Sequence, residues 1–245
     1  YPHVVAYDPA FAYEIGVILE SGIARMYRDN EDIVFYLTVG NEVYPMPPKP
    51  AECEEGIIKG MYRVAEVSID VERRVRLLGS GAILREALKA KNMLEDNYQI
   101  ATDVWSVTSY KNLYQDGMEA ERKNRLNPTG PRFIPYVTEQ VGDRSDVVIA
   151  VSDYVKALPA SIAHWVPGKF IALGTDGFGL SEDRARLREF FEVSAEHIAA
   201  AALSGLAEEG FFTGSEVRDA FIQLGIHPEK PDPSIWSLKG GSAEC

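Results

Sequence analysis

From Val75 onward, short unbroken apolar runs alternate with segments of helical spacing, and this alternation most restricts how the chain can fold. "VRLLGSG", "TDVWSVTS", "DVVIAVS" and "KFIALGTDGFG" read as strands. Between and after them, "AILREALKAKNMLEDNY", "MEAERKNRL", "DYVKALPASIAHWV" (bent at Pro159) and "SEDRARLREFFEV" read as helices. Strands that are apolar at every position, not at alternate ones, are covered on both faces, and parallel neighbours need a crossover between them. The pattern therefore predicts an α/β fold, a doubly wound and mostly parallel sheet. Two further helices, "SAEHIAAAALSGLAEEG" and "GSEVRDAFIQLGI", follow, and the remaining tail is expected to be poorly ordered.

The first part reads differently. "HVVAYDP", a helix starting at Pro9 ("PAFAYEIGVILESGIARMYR") and "DIVFYLTVG" make one βαβ unit. Phe11, Ile15, Val17, Ile18, Leu19, Ile23, Met26 and Tyr27 spread over most of the helix circumference, and such a helix is buried on several sides. One crossover unit cannot cover it. The expectation is the end of a domain whose other strands lie outside this sequence or in another chain, and a start at Tyr1 fits a piece of something longer. "NEVYPMPPKPAECEEG" (41–56) breaks both periodicities and reads as a partly extended linker. "MYRVAEV" and "RRVRLLGSG" beyond it are strand-like, with "SIDVE" predicted as a hairpin turn between them.

Charge and cysteine content exclude several functions. A net charge of −12 offers no basic surface for displacing counterions from a nucleic acid. No run approaches the roughly 18 apolar residues of a membrane span, and no signal peptide is visible. Only Cys53 and Cys245 occur, too few for a disulfide framework, so a cytoplasmic setting is expected.

Candidate chemistry is sparse. Gly79, Ser80 and Gly81 sit between a strand and a helix, where backbone N–H groups can meet an anion, but Leu84 stands where a dinucleotide fingerprint has its third glycine. In "LGTDGFG", Asp176 ends a strand and is either a ligand contact or a cap for loop amides; Ser181 is the expected N-cap of the helix that follows. Asn41 and Glu42 directly follow a strand, at the end of a sheet where α/β ligands bind, and are either weak ligand or interface candidates or a solvated loop. His3, His164, His197 and His227 form no metal-ligand spacing, and Cys53 has no basic neighbour in sequence to activate it.

The stretches "YDPAFAYEIGVILESGIARMY", "FYLTVGNEVYPMP", "EEGIIKGMYR", "LLGSGAILREAL", "DVWSVTSYKNL", "PRFIPYVTEQ" and "LGTDGFGLSEDRARLREFFEV" occur in this order. Together they resemble the C-terminal part of the homodimeric type of pyruvate dehydrogenase, the thiamine-diphosphate-dependent first component of the pyruvate dehydrogenase complex and a member of the transketolase superfamily. The resemblance implies a map: 1–45 the end of a pyrimidine-binding domain, 46–56 a linker, 57–226 a transketolase C-terminal-like α/β domain, and 227–245 a tail. It implies a parent enzyme that decarboxylates pyruvate and acetylates a lipoyl group on the acyltransferase component, using thiamine diphosphate and Mg2+. This segment would serve as scaffold and homodimer interface. The family's "GDG" with its downstream asparagine is missing: "QDG" at 115–117 and "TDG" at 175–177 are the nearest stretches, and the last asparagine is Asn127. The resemblance therefore carries no catalytic, cofactor-binding or metal-binding residue onto this chain, and the segment alone is expected to bind no cofactor. Pro45 stands where some relatives have histidine. Two other readings stay open: a separately encoded C-terminal subunit of a split transketolase-like enzyme moving a two-carbon unit to a carrier, and a non-catalytic interaction module.

Overall fold

The computed structural model describes residues 1–142 and 146–235; the end of the tail, 236–245 with Cys245, lies outside the described residues. β1 (Val4–Tyr7) leads into α1 (Ala12–Ile23), which runs on as a π-helical turn over Ala24–Arg28. β2 (Val34–Leu37) returns parallel to β1, with Val5 opposite Phe35 and Tyr7 opposite Leu37. Helical geometry begins at Ala12, not Pro9, because Phe11 is still extended and the Glu14 carboxylate turns back to accept from the Ala10 and Phe11 N–H groups. The Pro-rich stretch has no regular structure until α2 (Glu54–Lys59), which Gly60 closes in a left-handed conformation.

β3 (Tyr62–Ala65), β4 (Arg74–Gly79), β5 (Ala101–Ser106), β6 (Val147–Val151) and β7 (Lys169–Leu173) form one sheet in the order β3-β5-β4-β6-β7. The last four are mutually parallel, and β3 runs antiparallel to β5. The expected hairpin is therefore absent. β5 lies between β3 and β4, so the "SIDVE" connection spans a strand, not a turn. It is held by Glu95, which accepts from the Ser68 and Thr102 N–H groups at 3.1 Å each.

Helices cover both faces. α3 (Leu84–Tyr98), α4 (Tyr110–Leu126), α5 (Tyr136–Val141), α6 (Ala157–Ala160), α7 (Arg184–Phe190), α8 (Ala195–Glu208) and α9 (Gly214–Gln223) follow in order. Val75, Leu77, Val147 and Ile149 pack with Leu84 and Leu94 of α3 and Ile198 and Leu203 of α8. Leu78, Val148 and Ala150 point the other way, onto Leu113 of α4, Val137 of α5 and Ile162. This is the two-faced burial that unbroken apolar strands require.

Three helical expectations change. The helix expected at "MEAERKNRL" starts earlier, at Tyr110, and is capped by Ser109 accepting from the Asn112 N–H at 3.0 Å, with Tyr110, Leu113, Gly117 and Ala120 buried at helical spacing. Gly117 belongs inside it because a Cβ there would lie 2.5 Å from the Trp165 ring. The helix expected around Pro159 is two short pieces, α6 and a 3-10 turn over Ala163–Trp165. α7 is capped by Asp183, which accepts from the Arg186 N–H at 3.1 Å, and not by Ser181.

The βαβ unit docks on the sheet through a third core of Tyr7, Ile18, Cys53, Ile57 and Tyr62. Its helix is not buried all round. Ile18 is enclosed, while Leu19, Ile23 and Tyr27 are exposed, as are Val34 and Tyr36 on β2.

Candidate functional site

The carboxyl ends of β1 and β2 meet the carboxyl ends of β4 and β6, the position where open α/β sheets hold ligands. Two small cavities lie there, of about 230 and 200 Å³, and Asp8, Thr38 and Tyr154 line both. Asp8 follows β1 directly. Its backbone spans the junction, its N–H donating to Thr108 at 2.7 Å and its carbonyl accepting from the Gly81 N–H at 3.1 Å. Thr38 Oγ1 donates to Asp8 Oδ1 at 2.6 Å, and Oδ2 is buried without a hydrogen-bond partner of acceptable geometry. Burial pushes the Asp8 carboxyl above the usual carboxylate range; the Thr38 and Ser80 hydroxyls pull it back, and the charges of Asp153 and Glu14 push it further up. Gly81 has φ 49, and a Cβ on it would lie 2.6 Å from the Asp8 carboxylate, so only glycine fits. The Gly79–Gly81 turn therefore spends its Ser80 and Gly81 N–H groups on Val151 and Asp8 carbonyls, and serves as a packing turn.

Glu14 is the second node. It is fully buried on α1. Oε2 accepts from Ala10 and Phe11 N–H groups at 2.5 and 2.9 Å, and Oε1 accepts from Tyr62 and Ser106 hydroxyls at 2.6 Å each. Four donors offset the cost of burying the charge. Tyr13 and Tyr62 hydroxyls stand 2.6 Å apart. Burial, reinforced by the Glu14 charge, raises both phenols, that of Tyr13 to about 12.

The residues singled out in the sequence are engaged within the chain. Glu42 accepts from Arg85 at 2.7 Å and Arg188 at 2.5 Å, with Arg184 at 3.9 Å. Burial pulls its pKa upward, yet the hydrogen bonds and charges of Arg188 and Arg85 prevail and hold it below the usual range. Asn41 Oδ1 accepts from Arg184 at 2.6 Å. Asn41 stays exposed and Glu42 is half-buried; together with Tyr44, whose ring lies under Arg85 and whose hydroxyl donates to the Ala10 carbonyl, they strap the start of the linker to α3 and α7. Asp176 accepts from the Lys156 N–H at 3.0 Å, with the Lys156 ammonium at 3.9 Å, and so caps a loop amide.

Ser194 Oγ and His197 Nδ1 stand 3.0 Å apart at the start of α8, where Ser194 also caps the helix by accepting from the His197 N–H. The Cys53 thiol donates to the Pro50 carbonyl at 3.2 Å, and burial, then the Glu54 charge, raises its pKa. Among the described residues no three His, Cys, Asp or Glu side chains converge on a metal position, and no helix is long and apolar enough to cross a membrane. Sequence reasoning missed Asp8, Glu14 and Thr38. The available signals were an acid directly after a strand and a lone acid three positions past the start of an apolar helix.

Family models match in tandem: the pyruvate dehydrogenase E1 component middle domain over residues 1–47 and the transketolase-like TK C-terminal domain over residues 60–194. The chain is 45% identical over 233 residues to the pyruvate dehydrogenase E1 component of Pseudomonas aeruginosa, covering 95% of this chain and 26% of that protein. The component from Mycobacterium tuberculosis is 45% identical over 211 residues, 85% of this chain and 23% of the relative. That of Escherichia coli K12 is 39% identical over 236 residues, 96% and 26%. The chain thus spans about a quarter of the length of the curated relatives it matches. Among solved structures, a Pichia stipitis transketolase in complex with sedoheptulose-7-phosphate superposes with TM-score 0.57 at 17% identity over 85% of this chain and 26% of its own. A Campylobacter jejuni transketolase superposes with TM-score 0.54 at 18% identity over 82% and 26%. At that identity these structures share the fold.

Proposed function

The chain belongs to the transketolase-like TK C-terminal domain family, with pyruvate dehydrogenase E1 components as its relatives, and on that footing we propose that it is the C-terminal part of an acetyl-transferring pyruvate dehydrogenase. The parent enzyme decarboxylates pyruvate and acetylates a lipoyl group on the acyltransferase component; this part supplies scaffold and dimer interface. The observation that carries the reading is the tandem match, a middle-domain end followed by a C-terminal domain in one chain. Thiamine diphosphate and Mg2+ supply the carbanion chemistry in such an enzyme. The described residues do not fit that group: no three His, Cys, Asp or Glu side chains among them converge on a metal position, and Asp176, Glu42 and Glu14 are tied into an amide cap, arginine pairs and a buried hydroxyl network. No step of the reaction is therefore assigned to a side chain of this segment.

The interface role rests on the outer face of the βαβ unit. Ile23 is 57% exposed, Tyr27 78% and Val34 61%, and among the described residues β2 pairs only with β1, in a two-stranded parallel sheet. Parallel sheets are found covered and multi-stranded, so this face and edge take further strands of the middle domain and a second copy. The test is a chimera: the corresponding quarter of the Pseudomonas aeruginosa enzyme is exchanged for this chain, and pyruvate-dependent acetylation of a lipoyl domain is assayed. Activity within about tenfold of the parent is expected. A dimeric chimera that binds thiamine diphosphate as the parent does, yet acetylates nothing, overturns the reading.

A further inference from the structure

Another cavity lies away from the junction, against the edge strand β7, and is lined by α8, α9 and residues 226–230. Its volume is about 530 Å³, within the range of small-molecule sites. Its apolar wall comes from Ile171, Ala201, Phe221 and Ile226. Its charged groups come in two pairs of opposite sign. Lys169 and Glu208 form a close ion pair, whereas Lys230 and Glu192 stand 3.7 Å apart, with the Lys230 ammonium also donating to the Glu189 carbonyl. Burial lowers the Lys230 pKa, and burial together with the Lys230 charge lowers that of His197 to about 4, so the imidazole facing the cavity is neutral. His197 Nδ1 is engaged with Ser194 Oγ at 3.0 Å.

Glu192 is held at φ 61, a left-handed conformation that favours glycine, just past the end of α7. The turn closes α7, with the Val193 N–H donating to the Arg188 carbonyl at 2.9 Å. The Glu192 side chain is the carboxylate of the loose pair.

We infer that this cavity binds a zwitterionic α-amino acid with a large apolar side chain. The ligand carboxylate meets Lys230, its ammonium meets Glu192, and its side chain lies on the apolar wall. A zwitterion satisfies both members of the loose pair without adding net charge. An anion leaves Glu192 opposed, and a cation leaves Lys230 opposed.

The chain is titrated by calorimetry with L-phenylalanine, 3-phenylpropionate and phenethylamine, while the His197 imidazole signals are followed by NMR. L-phenylalanine is expected to bind saturably and to move the His197 signals, with each singly charged analogue weaker by about tenfold or more. Glu192→Gly relieves the left-handed strain, so it should leave the fold as stable or more so while weakening binding about tenfold or more. Lys230→Met should weaken it similarly with the fold intact. Absence of saturable L-phenylalanine binding up to about 10 mM, equal binding of the three probes, or undiminished binding by Glu192→Gly overturns the inference.

Discussion

Ser106 Oγ donates a 2.6 Å hydrogen bond to Glu14 Oε1 across 92 positions of sequence. Ser106 ends a strand of the large sheet, and Glu14 begins the helix of the βαβ unit. One buried carboxylate therefore both starts α1 and fastens it to its neighbour. Glu14→Gln replaces an acceptor of four hydrogen bonds with an amide whose nitrogen faces two or more donors. Removing such a partner leaves buried donors unpaired, and a loss of roughly 2 to 4 kcal/mol is expected. Urea denaturation measures it; a variant as stable as the wild type contradicts the assignment.

Asp8 gives a pH signature. A carboxyl whose folded pKa is raised holds its proton more tightly in the native state than in the unfolded one. Its contribution to stability is full in acid and declines as pH climbs from the ordinary carboxylate value through the folded one. Asp8→Asn removes that decline. The variant should gain stability over the wild type at neutral pH, and the gain should vanish below the ordinary carboxylate range. Paired denaturation curves at acidic and neutral pH decide this, and a constant difference between the two proteins would show that Asp8 is not the titrating group.

Gly81→Ala should destabilise by roughly 2 to 4 kcal/mol, the sum of a left-handed Cβ and an overpacked contact with the Asp8 carboxylate. In an Asp8→Ala background the second part is gone, so the loss should shrink by about half. Equal losses in the two backgrounds would place the strain elsewhere.

The exposed face of α1 separates two isoleucines five positions apart. Ile18 is fully buried and Ile23 is 57% exposed. Ile18→Asp buries an unpaired carboxylate and should unfold the βαβ unit. Ile23→Asp should keep the thermal stability of the chain but shift it from dimer toward monomer in sedimentation velocity at micromolar concentration. A wild-type chain that sediments as a monomer contradicts the interface.

Much of this architecture was legible because it is written in local periodicity. Val147–Val151 is apolar at each position and is buried on both faces; Ala195–Glu208 shows helical spacing behind the Ser194 cap. What failed depends on long-range pairing. "SIDVE" looked like a turn because nothing in Tyr62–Ala65 announces that β5, some forty residues later, will take the place beside it. The continuity of α4 through Gly117 depends on Trp165. Asn41 and Glu42 drew attention as polar residues after a strand, but the arginines that hold them are 43 to 146 positions away. Asp8 and Glu14 act through partners contributed by β3, β5, the Gly81 turn and Thr38 just after β2, and no short window of sequence contains those partners.

The claim that the chemistry of the parent enzyme lies outside this segment is tested most directly by calorimetric titration with thiamine diphosphate and Mg2+ of the isolated chain beside the Pseudomonas aeruginosa chimera. The chimera should bind cofactor stoichiometrically and the isolated chain should give no saturable heat. Saturable binding to the isolated chain with a Kd of about 1 to 100 μM would place a cofactor site within these residues and contradict the account.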